Sequence, residues 1–202
     1  MKKESGNTLK RSLLSVLVTS ALCTPHAMAA FTPSVPNGET VTGEVVENGT
    51  QTIQAGGEAD RTTINADGVQ NVNGTASDTA INNGGTQKVF GTASDTAINN
   101  GGWQIVKSEG TASDTTINGG KQEVNNGGMA SDTTINNGGL MMTTGTDSDT
   151  TVQAGGRYIL GKYTSTPDDP DAAWTYADTA TAQNLTVTGG TAQVSAGTLT
   201  GA

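Results

Sequence analysis

The residues that could do chemistry in this chain are mostly carboxylates, and they fall in two groups. Asp78, Asp95, Asp114, Asp132 and Asp149 recur at intervals of 17 to 19 residues, one per repeat. Carboxylates stacked in register repel one another, so such a column is a candidate calcium site. The calcium-binding β-roll, however, needs a Gly-Gly-x-Gly-x-Asp nonapeptide, and the longer unit here does not match it. The plainer expectation is an exposed turn aspartate that bonds its own backbone. The second group, Asp168, Asp169 and Asp171, is bounded by Pro167 and Pro170. It has the residue types of a metal cluster or of the acids of a polysaccharide lyase or hydrolase. Paired catalytic carboxylates must face each other across a bond, whereas these are neighbours on a Pro-bounded stretch that reads as a solvated loop. His26 and Cys23 are the sole histidine and cysteine, which excludes a histidine-based triad or zinc site downstream of them. No catalytic residue, metal site or cofactor is expected. Trp103 falls on the outward side of its strand by alternation, where it covers an edge or contacts sugar or a partner.

The first 29 residues have the layout of a secretory signal peptide. Lys2, Lys3, Lys10 and Arg11 precede an apolar stretch from Leu13 to Leu22, and Ala27-Met28-Ala29 supplies the small-residue site. Cleavage is expected between Ala29 and Ala30. The apolar stretch is too short for a permanent span, and Leu22 before Cys23 does not suit a lipoprotein signal.

Composition excludes an ordinary core. Only 33% of residues are apolar and 3% aromatic, with 28 glycines. Such a chain is either disordered or a regular array that needs only a thin apolar seam. Of 10 basic and 19 acidic residues, 4 and 1 lie in the leader, which leaves 6 against 18 and a charge of −12. That balance excludes nucleic-acid binding and direct binding to anionic lipid.

Periodicity settles the choice in favour of an array. Gly74-Thr-Ala-Ser-Asp-Thr-Ala-Ile-Asn-Asn-Gly-Gly-Thr-Gln-Lys-Val89 returns nearly unchanged from Gly91 to Val106, then with growing drift to Leu160. One aliphatic column runs through Ile64, Ile81, Ile98, Ile117, Ile135 and Val152. A second runs through Val72, Val89, Val106, Val124, Thr143 and Leu160, and an alanine column ends in Asp147. The Asn-Gly and Gly-Gly steps in each unit exclude helices. Each unit therefore reads as one coil of two short strands, with Thr79 and Ile81 inward on the first and Gln87 and Val89 inward on the second. The positions between, such as Lys88, Ile105, Lys121 and Glu123, face out. Insertions between the second column and the next alanine come in pairs, as at Ser108-Glu109, which keeps strand faces in phase. The one odd change, a missing Asn in Asn118-Gly119-Gly120, falls in a glycine turn.

The expected fold is all-β, a right-handed parallel β-helix, its hand taken from the general preference of parallel crossovers. The expected organisation is a signal peptide at 1–29, an N-terminal extension or cap at 30–44, repeats at 45–160, a loop excursion at 161–180 and a resumed, truncated β-helix at 181–202. An uncapped end at Ala202 suggests a piece of something longer.

The Gly-Thr-Ala-Ser-Asp-Thr-x-Ile-Asn-x-Gly-Gly-x-Gln-x-Val unit resembles the passenger domain of AIDA-type self-associating autotransporter adhesins of Gram-negative bacteria. The resemblance covers residues 40–160 well and 181–202 loosely. It implies a long right-handed β-helix outside the outer membrane that serves cell–cell aggregation, biofilm formation or host adhesion. Its partners would be second copies through the side faces, or a host surface or glycan. It also implies a C-terminal translocator barrel, which this sequence lacks, so the full-length parent is expected at the cell surface and this chain in the periplasm or secreted. Some relatives carry heptose on Ser/Thr of the repeats. The other readings are a β-helical enzyme acting on glycans and a remnant of a broken adhesin gene.

Overall fold

The computed structural model describes residues 31–163 and 175–202. The proposed leader, with Cys23, His26, Ala29 and Ala30, and the acidic stretch Asp168, Asp169 and Asp171 lie outside the described residues.

Side-chain alternation and glycine corners dictate the architecture. Each coil contributes one strand to each of three parallel sheets, two of nine strands and one of eight, so the chain is an all-β parallel solenoid. In the coil from Gly68, the strands are Gly68–Val72, Thr75–Ser77 and Ala80–Ile81. We name the three sheets by their residues: the Gln-Val face, the Ala-Ser face and the Thr-Ile face. The third strand is a departure from the two-strand reading of the unit. Thr-Ala-Ser is too short to show alternation, and alanine is its only inward residue. It nevertheless pairs in register from coil to coil, Ala76 with Ala93 and Ala93 with Ala112.

The register is kept throughout. Ile81 pairs with Ile98 and Ile98 with Ile117, and Val72, Val89, Val106 and Val124 follow the same rule on the Gln-Val face. The paired insertion does not lie within a strand: Lys107, Ser108 and Glu109 form a turn at the corner between the Gln-Val and Ala-Ser faces. Its even length is not what keeps the phase, because the Ala-Ser strand starts afresh after Gly110.

The core is a narrow column. Ile64, Ile81, Ile98, Ile117, Ile135 and Val152 are fully buried, as are Val72, Val89, Val106, Val124 and Leu160. Threonines fill the third inward position: Thr62, Thr79, Thr96, Thr115 and Thr133 are each 1% exposed. A buried amide needs a partner, and here each inward glutamine supplies one to the next. Gln122 donates to Gln104, Gln104 to Gln87, Gln87 to Gln70 and Gln70 to Gln51, each at 2.8 Å. The donors all point toward the N-terminus, and the last one meets a carboxylate: Gln51 Nε2 donates to Glu44, which also accepts from the Thr32 amide and hydroxyl. An anion at the positive end of an aligned amide row is the favourable sign. Thr32 and Glu44 thus supply this ladder stop, and the residues around them belong to the stack. They also add strands at Ser34–Val35 and Thr40–Thr42 that pair with the next coil.

Beyond Leu160 a short antiparallel pair, Lys162–Tyr163 with Thr175–Tyr176, stands apart from the three sheets. Stacking then resumes: Thr181–Gln183, Thr186–Val187 and Thr191–Val194 pair with the strands of the preceding coil.

Candidate interaction surface

Three features are built on this frame, two outward and one interior. The first is the aspartate column. Asp78, Asp95, Asp114, Asp132 and Asp149 all lie at the corner between the Ala-Ser and Thr-Ile faces, exposed, with φ between 50° and 57°. Aspartate is among the few residues that enter the left-handed region readily, and this corner requires it once per coil. The Asp95, Asp114 and Asp132 amides donate across the coils to Ser113, Ser131 and Ser148 at 3.1 to 3.2 Å. None of the five carboxylates accepts a bond from its own turn, as the sequence had suggested; the one that is engaged, Asp149, accepts from Asn184 at 3.0 Å. Among the described residues no three His, Cys, Asp or Glu side chains are grouped to hold a metal ion. The left-handed backbone is a reason for an aspartate at each of these corners.

The second feature is the outer side of the Gln-Val face. Its first outward column reads Thr86, Trp103, Lys121, Leu140, Arg157 and its second Lys88, Ile105, Glu123, Met142, Ile159. Ile105, Glu123, Met142 and Ile159 point away from the core but are only 5, 6, 2 and 6% exposed, whereas an outward, exposed place was expected of Ile105 and Glu123. Alternation says on which side of a strand a residue lies, not what else lies on that side. Burial pushes the Glu123 carboxyl above its ordinary value, opposed by the charges of Lys121 and Lys107. The Lys121 ammonium lies 3.9 Å from Glu123 and 3.8 Å from the centroid of the Trp103 ring. Trp103 is half-buried rather than open, and its indole N–H has no acceptor.

The third feature is an interior one that sequence reasoning passed over. Asp147 takes the alanine position, between Ala130 and Ala182, and is fully buried. Thr150 Oγ1 donates to its Oδ1 at 2.8 Å, while Oδ2 and the neighbouring Tyr158 hydroxyl make no well-formed hydrogen bond. Loss of water raises the Asp147 pKa to about 7, against the lowering effect of Thr150. The buried Tyr158 phenol is pushed up as well, by desolvation and by the adjacent carboxylate. The signal was in the sequence, as the break in the alanine column, and the third strand shows that column stacked in the interior from coil to coil.

These faces and ladders define a class of protein: a parallel β-solenoid whose polar surface repeats once per coil. Within that class, residues 117–156 match the AIDA family, described as the adhesin of a bacterial autotransporter system, probable stalk. The Ser-Asp-Thr unit of that segment runs through the preceding coils as well. A crystal structure of a TibA fragment hyper-glycosylated by TibC is similar to the chain with a TM-score of 0.38 and 24% identity, over 85% of this chain and 96% of that one. No curated protein matches the chain.

Proposed function

We propose that this chain is an exported, non-enzymatic adhesive stalk. It acts by presenting long side faces to second copies of itself, or to a host surface or glycan, in cell–cell association and biofilm formation. The observation that carries the reading is the strict register of outward polar columns across successive coils. Asn82 donates to Asn65 and Asn99 to Asn82 at 2.9 Å, so the asparagine side chains are held as an ordered ladder along one corner. The aspartates stand in a parallel row at another. Two such faces can join through many weak hydrogen bonds of about 1 kcal/mol each, which sum only when the spacing of both partners matches. In this reading residues 1–29 are a signal peptide cleaved between Ala29 and Ala30, and a full-length parent carries the coils at the cell surface.

A β-helical enzyme acting on glycans would need opposed acids on neighbouring coils. Glu123 is the buried outward acid among the described residues, and its register neighbours are Ile105 and Met142.

The test is to mix cells that display the full-length parent with cells whose parent lacks residues 45–160, and to follow settling. Faster settling of the complete form is the expected result; equal rates would count against the proposal.

A further inference from the structure

One edge of the stack changes height in steps. The corner between the Gln-Val and Ala-Ser faces takes four residues at 36–39, 54–57, 107–110 and 125–128, but two at 73–74, 90–91 and 144–145. The longer corners are tight turns: the Gly57, Gly110 and Gly128 amides donate to the Gln54, Lys107 and Asn125 carbonyls at 2.8 to 3.0 Å. Neighbouring turns are also tied to each other, Gly38 to Gly56 at 2.8 Å and Glu109 to Gly127 at 2.9 Å. Their middle residues stand out from the stack, with Ala55, Gly56, Ser108, Glu109, Asn126 and Gly127 exposed. In the shorter corners the chain turns at once, and the Phe90 and Gly91 amides both donate to the Val72 carbonyl at 2.8 Å. From residue 36 to residue 128 the edge is therefore a ridge two coils thick, a saddle two coils wide and a second ridge two coils thick.

The saddle holds an apolar side chain in the open. Phe90 is 43% exposed, and Asn73 beside it is exposed too. Coils lie about 4.8 Å apart, so the turns that bound the saddle stand about 14 Å apart and a two-turn ridge is about 10 Å thick. A ridge of one copy fits the saddle of another. Turned end for end about a two-fold axis between the coils of Phe90 and Lys107, the edge is its own complement. Phe90 then meets the 107–110 turn of the second copy, Asn73 meets its 125–128 turn, and the reverse contacts repeat across the axis.

Charge favours this orientation. Lys88 lies on the outer side of the strand that leads to Phe90, and Glu109 stands on the 107–110 turn. Among the described residues neither is in an ion pair. The antiparallel fit sets Lys88 opposite Glu109 of the second copy, twice. Two copies running in the same direction would set Lys88 against the uncharged 54–57 or 125–128 turn. Exposed pairs add little affinity, but they discriminate between arrangements.

We propose that this edge is the docking surface for a second copy of the chain, antiparallel and ridge in saddle, with Phe90 as the buried anchor. The proposal rests on the adhesive reading and assigns it an edge and an orientation. Four coils give about 19 Å of contact, which belongs with weak, transient interfaces. Stalks that present the edge in numbers add such contacts together.

The test is disulfide trapping of the purified chain in a Cys23→Ser background. Asn73→Cys with Asn126→Cys brings thiols together between antiparallel copies, and Asn73→Cys with Ser108→Cys does so between copies running the same way. Within one chain these positions are two or three coils apart, about 10 to 14 Å, too far for a disulfide. Oxidation is expected to give at least tenfold more covalent dimer from the first pair than from the second. Phe90→Asp, added to the first pair, is expected to cut that yield at least tenfold while far-ultraviolet dichroism stays that of the parent. No covalent dimer, equal yields from the two pairs, or a yield undiminished by a folded Phe90→Asp variant would each overturn the proposal. Settling of cells whose parent lacks residues 45–160 is scored separately. Slower settling there without trapped dimer sinks this edge alone, whereas unchanged settling sinks the adhesive reading with it.

Discussion

Asp147 makes the stack sensitive to pH, and Asp147→Ala isolates the effect. The carboxyl sits in the solenoid interior with its pKa raised from 3.8 to about 7. A raised acid pKa means the folded state holds a proton that the unfolded state has lost, so stability falls as pH rises from about 4 to about 7 and is level beyond. At 1.36 kcal/mol per pH unit the whole interval corresponds to about 4 kcal/mol, and the part between pH 5 and pH 8 to about 2 to 3 kcal/mol. Alanine is the residue at this position in neighbouring coils, Ala130 and Ala182, so the backbone accepts it. The substitution removes the buried charge at the cost of leaving Thr150 without its acceptor, about 1 kcal/mol. Urea unfolding at pH 5 and pH 8 is the assay. Repulsion among the surface carboxylates is common to both proteins and cancels in the comparison. Asp147→Ala is expected to be more stable than the parent at pH 8, with little of that gain at pH 5. Equal pH slopes for the two proteins would refute the reasoning.

Other substitutions probe the ladders and corners. Gln104→Met orphans the Gln87 carbonyl and deprives the Gln122 amide of its main acceptor, and is expected to cost about 2 to 4 kcal/mol in urea unfolding. Glu44→Ala removes the charged stop of the glutamine row and should speed amide hydrogen exchange in the first coils, 31–53, while leaving coils beyond Val106 unchanged. Asp95 stands at φ 53°, so Asp95→Gly is expected to be neutral within about 0.5 kcal/mol and Asp95→Ala to cost about 1 kcal/mol. A calcium-dependent melting temperature lost in Asp95→Gly would contradict the backbone explanation of the column. A Cβ at Gly102 would run into the Ile81 carbonyl, a backbone atom that cannot step aside, so Gly102→Ala should cost at least 2 kcal/mol and open the coil at that corner.

The fold class was legible because it rests on period-two alternation and on repeat length, both local. Alternation puts Gln87 and Val89 on one side of their strand, and that side is the interior. What was not legible depends on neighbours in space. The Thr75–Ser77 strand is three residues long with a single inward alanine, so no pattern distinguishes it from a turn. Ile105 and Glu123 lie on the outer side of their sheet as alternation requires, yet they are buried. The aspartates looked like ligands or turn acceptors because the sequence shows their type but not their φ. The short corner Asn118-Gly119-Gly120 was visible only as one absent letter, and the gap it leaves in the asparagine ladder, between Asn99 and Asn118, follows from which coils lie above and below it.

The central claim is that each coil stacks directly on the last. Glu58, Thr75, Thr92, Thr111 and Met129 occupy one outward column, paired coil by coil. Spin labels at Glu58→Cys and Met129→Cys, with Cys23→Ser as background, are thus four coil spacings apart, or about 19 Å along the axis. A pulsed electron resonance distance near that value, within the reach of the label arms, is the predicted result. A broad distribution centred near 45 Å, the span of a flexible chain of that length, would contradict the account.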